Sequence, residues 1–166
     1  MLYSFINSLD KLLKFKSAAA HCDIPCKIYD PSTAQIAALS VIRFIDIINE
    51  LEQPLSVANT AQLARLVREK EIHASKVKEE VRVIWGDYFK QPQFDQFPDT
   101  HALVHSIMLT ASKCKQHIDR EHAEQLLALV NQFADSFWQT KGIATYQAKS
   151  PYPPSEHVVY PDLKSA

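Results

Sequence analysis

An all-α four-helix bundle is the fold that this 166-residue sequence predicts, and three observations predict it. Apolar residues recur at helical spacing through four long stretches. No segment shows the strict apolar–polar alternation of a half-buried strand. Glycine occurs only twice, too rarely for hairpin turns, Gly-rich phosphate loops or a dinucleotide fold. The length suffices for one domain with a real core. A net charge of -1 leaves no basic footprint for nucleic acid. No apolar run approaches the roughly 18 residues that a membrane span needs.

Residues 1–20 read as a separate leader. Leu2, Phe5, Ile6, Leu9, Leu12 and Leu13 recur at helical spacing, with Lys11, Lys14 and Lys16 between them. The segment ends in Ala18-Ala19-Ala20, which suits a small-residue cleavage site. An export signal wants a continuous apolar stretch. Here polar residues interrupt throughout, so a removable leader of another kind and a cytoplasmic protein are expected.

The first bundle helix is expected to open at Asp30-Pro31, a capping residue followed by a proline suited to the first turn. Ile36, Leu39, Ile42, Ile45 and Ile48 mark its face, and Pro54 stops it. The second runs from about Thr60 to Tyr88, with Leu63, Leu66, Val67, Val77, Val81, Ile84 and Trp85 inside. A loop from Lys90 to Pro98 leads to the third helix, which carries Leu103, Val104, Ile107, Met108 and Cys114 on one side. The fourth begins near Asp119 and presents Leu126, Leu127, Val130, Phe133, Phe137 and Trp138. Gly142 is its expected C-terminal stop. Short connections imply antiparallel neighbours. From residue 145 to 166, Pro151, Pro153, Pro154 and Pro161 sit among polar residues, so an extended tail without its own core is expected.

The chemistry concentrates in six residues after the leader: His21-Cys22-Asp23-Ile24-Pro25-Cys26. Three cysteines in all, two of them four positions apart, make no disulfide framework. If the chain is cut before His21, the new α-amine, the His21 imidazole, the Cys22 amide and both thiolates become available to one metal. The amine and amide close one chelate ring, and the amide and Cys22 sulfur close a second. Cys26 can return to the fourth in-plane position, because Pro25 bends the chain. Square-planar nitrogen and sulfur donors suit Ni(II) or Cu(II), whereas tetrahedral sulfur-rich sites suit zinc. Taken alone, the pair also fits a zinc half-site or two unremarkable thiols. Its position behind a cleavable leader favours the metal hook. The domain expected over 21–144 is therefore a four-helix bundle with an N-terminal metal-binding hook.

The hook followed by Tyr29-Asp30-Pro31 resembles the nickel hook of nickel superoxide dismutases. Trp85-Gly86-Asp87-Tyr88-Phe89-Lys90, with Pro92 and Phe94, is a second match, and Phe137-Trp138-Gln139-Thr140-Lys141 is a third, in family order. The resemblance implies a four-helix bundle assembled as a homohexamer, made with an extension that a dedicated peptidase removes. It implies one nickel ion per subunit, held by the freed amine, a backbone amide and two thiolates, with the first imidazole as an axial ligand. By position the ligands are His21, Cys22 and Cys26. Tyr29 and Tyr88 match the tyrosines at the open face of the metal, and Asp23 and Lys90 match residues at the entrance. The implied reaction is dismutation of superoxide to oxygen and peroxide by Ni(II)/Ni(III) cycling. Electron-rich thiolate and amide donors stabilise the higher oxidation state. A cationic Lys90 would draw in the substrate anion.

Two positions depart from the family pattern. Ala37 stands where many members have a glutamate, and His73 stands near the place of its partner arginine. Both normally orient the axial imidazole. His73 lies near the inner stripe of its helix, where it either substitutes or is a satisfied core histidine. His101 and His105 are one turn apart but lack further ligands, Cys114 reads as a buried inert thiol, and His117 and His122 read as surface residues. Two other classes fit the hook: a metal-delivery module without turnover, and a helical interaction protein that clips zinc. Neither predicts the matches at Tyr29 and Asp87-Tyr88-Phe89-Lys90.

Overall fold

The structure is a computed structural model that describes residues 27–164. The leader and the hook residues 21–26 lie outside the described residues. The chain forms α1 (Ser32–Asn49), α2 (Val57–Val83) and a π-helical turn (Ile84–Tyr88) that extends α2. Then come a short α3 (Gln91–Gln96), α4 (Thr100–Gln116), α5 (Arg120–Thr140) and a hairpin of β1 (Thr145–Lys149) and β2 (His157–Pro161). α1 packs on α2 and α5, and α4 packs on the same two helices, which closes the expected four-helix ring.

The helix ends follow local chemistry. Pro31 takes the cap position of α1 rather than its first turn, and Asp30 Oδ1, two residues ahead of Ser32, accepts from the Ser32 amide at 2.8 Å. Ser56 caps α2 by accepting from the Asn59 amide at 3.1 Å, and Asp119 caps α5 by accepting from the Glu121 amide at 2.9 Å. At the far end of α5, Gly142 adopts φ +72°, which a Cβ would disfavour. The Ile143 amide then reaches the Trp138 carbonyl and the Gly142 amide reaches Gln139, so two orphan carbonyls are satisfied as the sequence predicted.

The core differs from the expected stripes in ways that packing explains. In α1, Ala34, Ala38, Val41 and Ile45 are fully buried, while Ile36 points outward and is 54% exposed. Small residues let α1 approach its neighbours closely, so the buried face follows alanines rather than every isoleucine. In α2, Val77, Val81 and Ile84 are buried as expected, but Leu63, Leu66 and Val67 are only half-buried. The expected loop from Lys90 to Pro98 contains α3, whose first turn closes when the Lys90 amide donates to Gln93 Oε1 at 3.0 Å.

The proline-rich tail is not an isolated extended strand. It is an antiparallel hairpin, with Tyr146 opposite Tyr160 and Thr145 opposite Pro161. Val158 and Val159 are buried against the bundle. The prolines at 151, 153 and 154 lie between the strands, where a missing amide donor costs no ladder bond. The apolar run is only Val158-Val159-Tyr160, too short to stand out as a strand without the surface that it covers.

Among the fully buried side chains of the described residues is a lysine. Lys70, in mid-α2, donates from Nζ to the carbonyls of Cys114, Lys115 at 2.9 Å and His117 at 3.1 Å. These are acceptors at the C-terminus of α4 that the helix itself leaves unpaired. The ammonium also complements the negative end of the helix dipole. Burial lowers the Lys70 pKa, while nearby Glu71 and Cys114 counteract it. Burial likewise pushes the Cys114 thiol up to about 11, so it stays protonated at neutral pH. Replacing Lys70 by Met keeps the bulk but strands these carbonyls. Urea unfolding of Lys70→Met should show a loss of about 2–3 kcal/mol. Cys114 should resist iodoacetamide in the native protein and react once the protein is unfolded in urea.

Candidate metal centre

Each aromatic residue of the Trp85–Lys90 segment is placed by the end of α2. The helix widens into a π turn closed by the Phe89 amide donating to the Ile84 carbonyl at 3.3 Å. Such turns carry more residues per revolution than an α-helix. Tyr88 is thereby offset from the Val77–Val81–Ile84 stripe and comes to rest on the end of α5. Its hydroxyl lies 2.7 Å from Thr140 Oγ1. Thr140 uses its own proton on the Phe137 carbonyl at 2.6 Å, so the Tyr88 phenol is the donor of the pair. The Tyr88 ring sits 4.9 Å from Phe137 and 5.4 Å from Phe89.

Tyr29 meets this cluster from the other side, with its ring 5.8 Å from Tyr88. The two tyrosines expected at one site are therefore brought together across the fold. Tyr29 is three residues after Cys26, and a chain extends at most about 3.6 Å per residue. Three residues of chain therefore span at most about 11 Å. His21, Cys22, Asp23 and Cys26 themselves fall outside the described residues.

Lys90 is exposed, and its Nζ donates to the Gly86 carbonyl at 3.0 Å. That single bond leaves two ammonium hydrogens for solvent or an anion. A second cation, Lys141, holds Nζ 4.7 Å from the Tyr88 ring centroid and 5.0 Å from that of Phe137. Lys141 and Thr140 were not expected as site residues. Their signal was the Phe137–Lys141 segment, read only as a match and not as a wall of the site.

The remaining sequence candidates have structural occupations. The His73 Nδ1–H donates to the Glu69 carbonyl at 2.8 Å, and its ring packs 5.1 Å from Phe44. It is a satisfied, half-buried histidine. Ala37 is buried and offers only a methyl. His101 accepts the Trp85 indole N–H on Nδ1 at 3.1 Å and stacks on Phe94 at 4.2 Å. That use of Nδ1, together with the exposure of His105, leaves no paired ligand set there. The His117 and His122 rings lie 5.9 Å apart, His117 exposed and His122 half-buried. Among the described residues, no group of three or more His, Cys, Asp or Glu side chains is arranged to hold a metal ion.

Comparison with known proteins agrees with this geometry. The sequence model of the nickel-containing superoxide dismutases matches residues 16–141. The superoxide dismutase [Ni] of Streptomyces coelicolor is 33% identical over 125 residues, which is 75% of this chain and 91% of that protein. Its counterpart in Streptomyces seoulensis is 32% identical over 124 residues, 74% of this chain and 89% of that protein. The native structure of a nickel superoxide dismutase at 1.30 Å superposes with a TM-score of 0.67 at 34% identity, covering 74% of this chain and 99% of its own. A nickel-containing superoxide dismutase with ligation corresponding to the oxidised state gives the same TM-score at 32% identity. With the hook sequence, the tyrosine pair and the bundle in agreement, this chain belongs to the nickel-containing superoxide dismutase family.

Proposed function

We propose that this protein dismutates superoxide to oxygen and hydrogen peroxide, using one nickel ion held by its N-terminal hook. The observation that carries this reading is the Tyr29–Tyr88 contact. It joins Tyr29, three residues after the last hook cysteine in sequence, to the separate Trp85–Lys90 segment, so a packed aromatic surface stands where the hook's chain enters the bundle. The donor set fits nickel: an amine and imidazole from His21, the Cys22 amide and thiolate, and the Cys26 thiolate. Nickel bound by these donors supplies a one-electron couple that serves both halves of the dismutation.

The protein's own residues do the rest. Tyr29 and Tyr88 form a packed wall that admits only small molecules. The Tyr88 phenol hydrogen is committed to Thr140, so its oxygen offers lone pairs rather than an acidic proton toward the open side. Lys90 and Lys141 flank Tyr88 with two cations, which raises the local concentration of a small anion. Ala37 offers only a methyl and the His73 Nδ1–H is taken by the Glu69 carbonyl, so the glutamate–arginine pair of the family pattern has no direct counterpart at these positions.

The same reading makes residues 1–20 a leader whose removal frees the His21 amine. A peptidase would act after Ala20, in the cytoplasm. No helix among the described residues is long and apolar enough to cross a membrane. Assembly as a homohexamer would cover exposed apolar residues such as Ile28 and Ile36.

Two nickel-treated proteins test the reading, one beginning at Met1 and one at His21. Only the His21 form should bind nickel tightly and consume superoxide. A folded His21 form that holds nickel without turnover would mark a carrier instead. In the active form, Lys90→Gln combined with Lys141→Gln should lower kcat/KM roughly threefold at low salt and flatten its dependence on ionic strength. Stopped-flow decay of superoxide across a salt series reads both effects.

A further inference from the structure

The hairpin lies beyond residue 141, where the match to the family's sequence model stops. Its docking is nevertheless specific and polar. Gln35, the fourth residue of α1, is 4% exposed. Its Nε2 donates to Asn131 Oδ1 at 3.0 Å and to the Val159 carbonyl at 2.8 Å. Asn131, on α5, meets β2 as a neighbouring strand would. Its Oδ1 accepts from the Val159 amide at 3.2 Å, and its Nδ2 donates to the His157 carbonyl at 2.9 Å. One amide node thus ties α1, α5 and β2 together. Arg120 adds a clasp, bonding Asp46 on α1 at 2.8 Å and Glu156 beside β2 at 2.7 Å.

What this arrangement holds is the beginning of α1. That first turn carries no acidic residue, and its side-chain cap is the bond from the Ser32 amide to Asp30. Just upstream, Ile28 is 78% exposed. A helix end so lightly tied opens readily on its own. The end of β2 stands beside it: Tyr160 and Pro161 share a cavity of about 110 Å³ with Asp30, Ser32 and Trp138. Tyr29 is the residue before Asp30, and it bears on Tyr88.

We propose that the C-terminal hairpin is a positioning element for the metal centre. Through the Gln35–Asn131–Val159 node it holds the first turn of α1, and with it Tyr29, against Tyr88. The proposal rests on the nickel reading above. Gln35 and Asn131 act as positioning residues and touch no substrate.

The test uses Gln35→Leu, which keeps a helix-compatible side chain and removes both donated bonds, and Asn131→Leu, which strips the node from the α5 side. Both are made in the full-length chain and checked for native helicity by circular dichroism. In the metal-free proteins, amides over residues 29–39 should exchange about tenfold faster, the size expected for one net buried hydrogen bond, with α4 unchanged. In forms beginning at His21, nickel release to a chelator should accelerate by a similar factor. Faster exchange in β2 with none over 29–39 overturns the proposal, because the hairpin then only rides on the bundle. Faster exchange over 29–39 with unchanged nickel release overturns the link to the metal centre. If the unsubstituted His21 form never binds nickel, the nickel reading fails by itself, and the exchange data still decide whether the hairpin holds α1.

Discussion

The Tyr88 phenol donates to Thr140 while its ring meets Phe137 on one side and Tyr29 on the other. One side chain therefore holds the end of α2, the end of α5 and the approach to α1 in a fixed relation. An N-terminal hook of six residues has too little apolar surface to fold by itself. Among the described residues, the packed rings next to Tyr29 form a surface that is already in place. The π turn puts Tyr88 there, and the Phe89–Phe133–Phe94 packing behind it keeps that surface stiff. Aromatic rings suit this role because they bury a large area with little loss of side-chain freedom. Lys141 adds a cation over the Tyr88 and Phe137 rings.

Away from the site, the bundle spends a buried cation on architecture. Lys70 sits where the α2 stripe passes the end of α4, and it answers carbonyls that no backbone amide reaches. An apolar residue there would pack but leave the helix end unpaired. Nearby Cys114 is shielded from the peroxide that the proposed reaction releases. Its thiol is buried and has its pKa raised, and oxidation proceeds through the thiolate. The cysteine among the described residues thus serves packing in the core.

Much of the fold was legible in the residues. The Asp30 and Asp119 caps, the Gly142 stop and the α5 stripe from Leu126 to Trp138 follow from nearest neighbours along the chain. Tyr29 and Tyr88 were legible as a pair through the resemblance, and the structure brings their rings together. Other features escaped. Lys70 sits on an apolar stripe, four after Leu66 and seven before Val77, and that misplaced charge was the available signal. The hairpin was hidden because its prolines read as disorder and its buried run is only Val158 and Val159. Lys141 gave no sign of its position over Tyr88.

What the sequence by itself determined is local: where helices start and stop, which faces are apolar, and which atoms in residues 21–26 can bind a metal. These depend on periodicity, capping chemistry and donor type, all of which act within a few residues. Only the tertiary structure decided that Tyr88 gives its proton to Thr140, that Lys70 caps a helix from another part of the chain, and that Gln35 and Asn131 hold a strand against the start of α1. Each of these joins groups far apart in sequence. A polar side chain becomes buried only when the fold delivers its partner, and no local pattern states which partner that is.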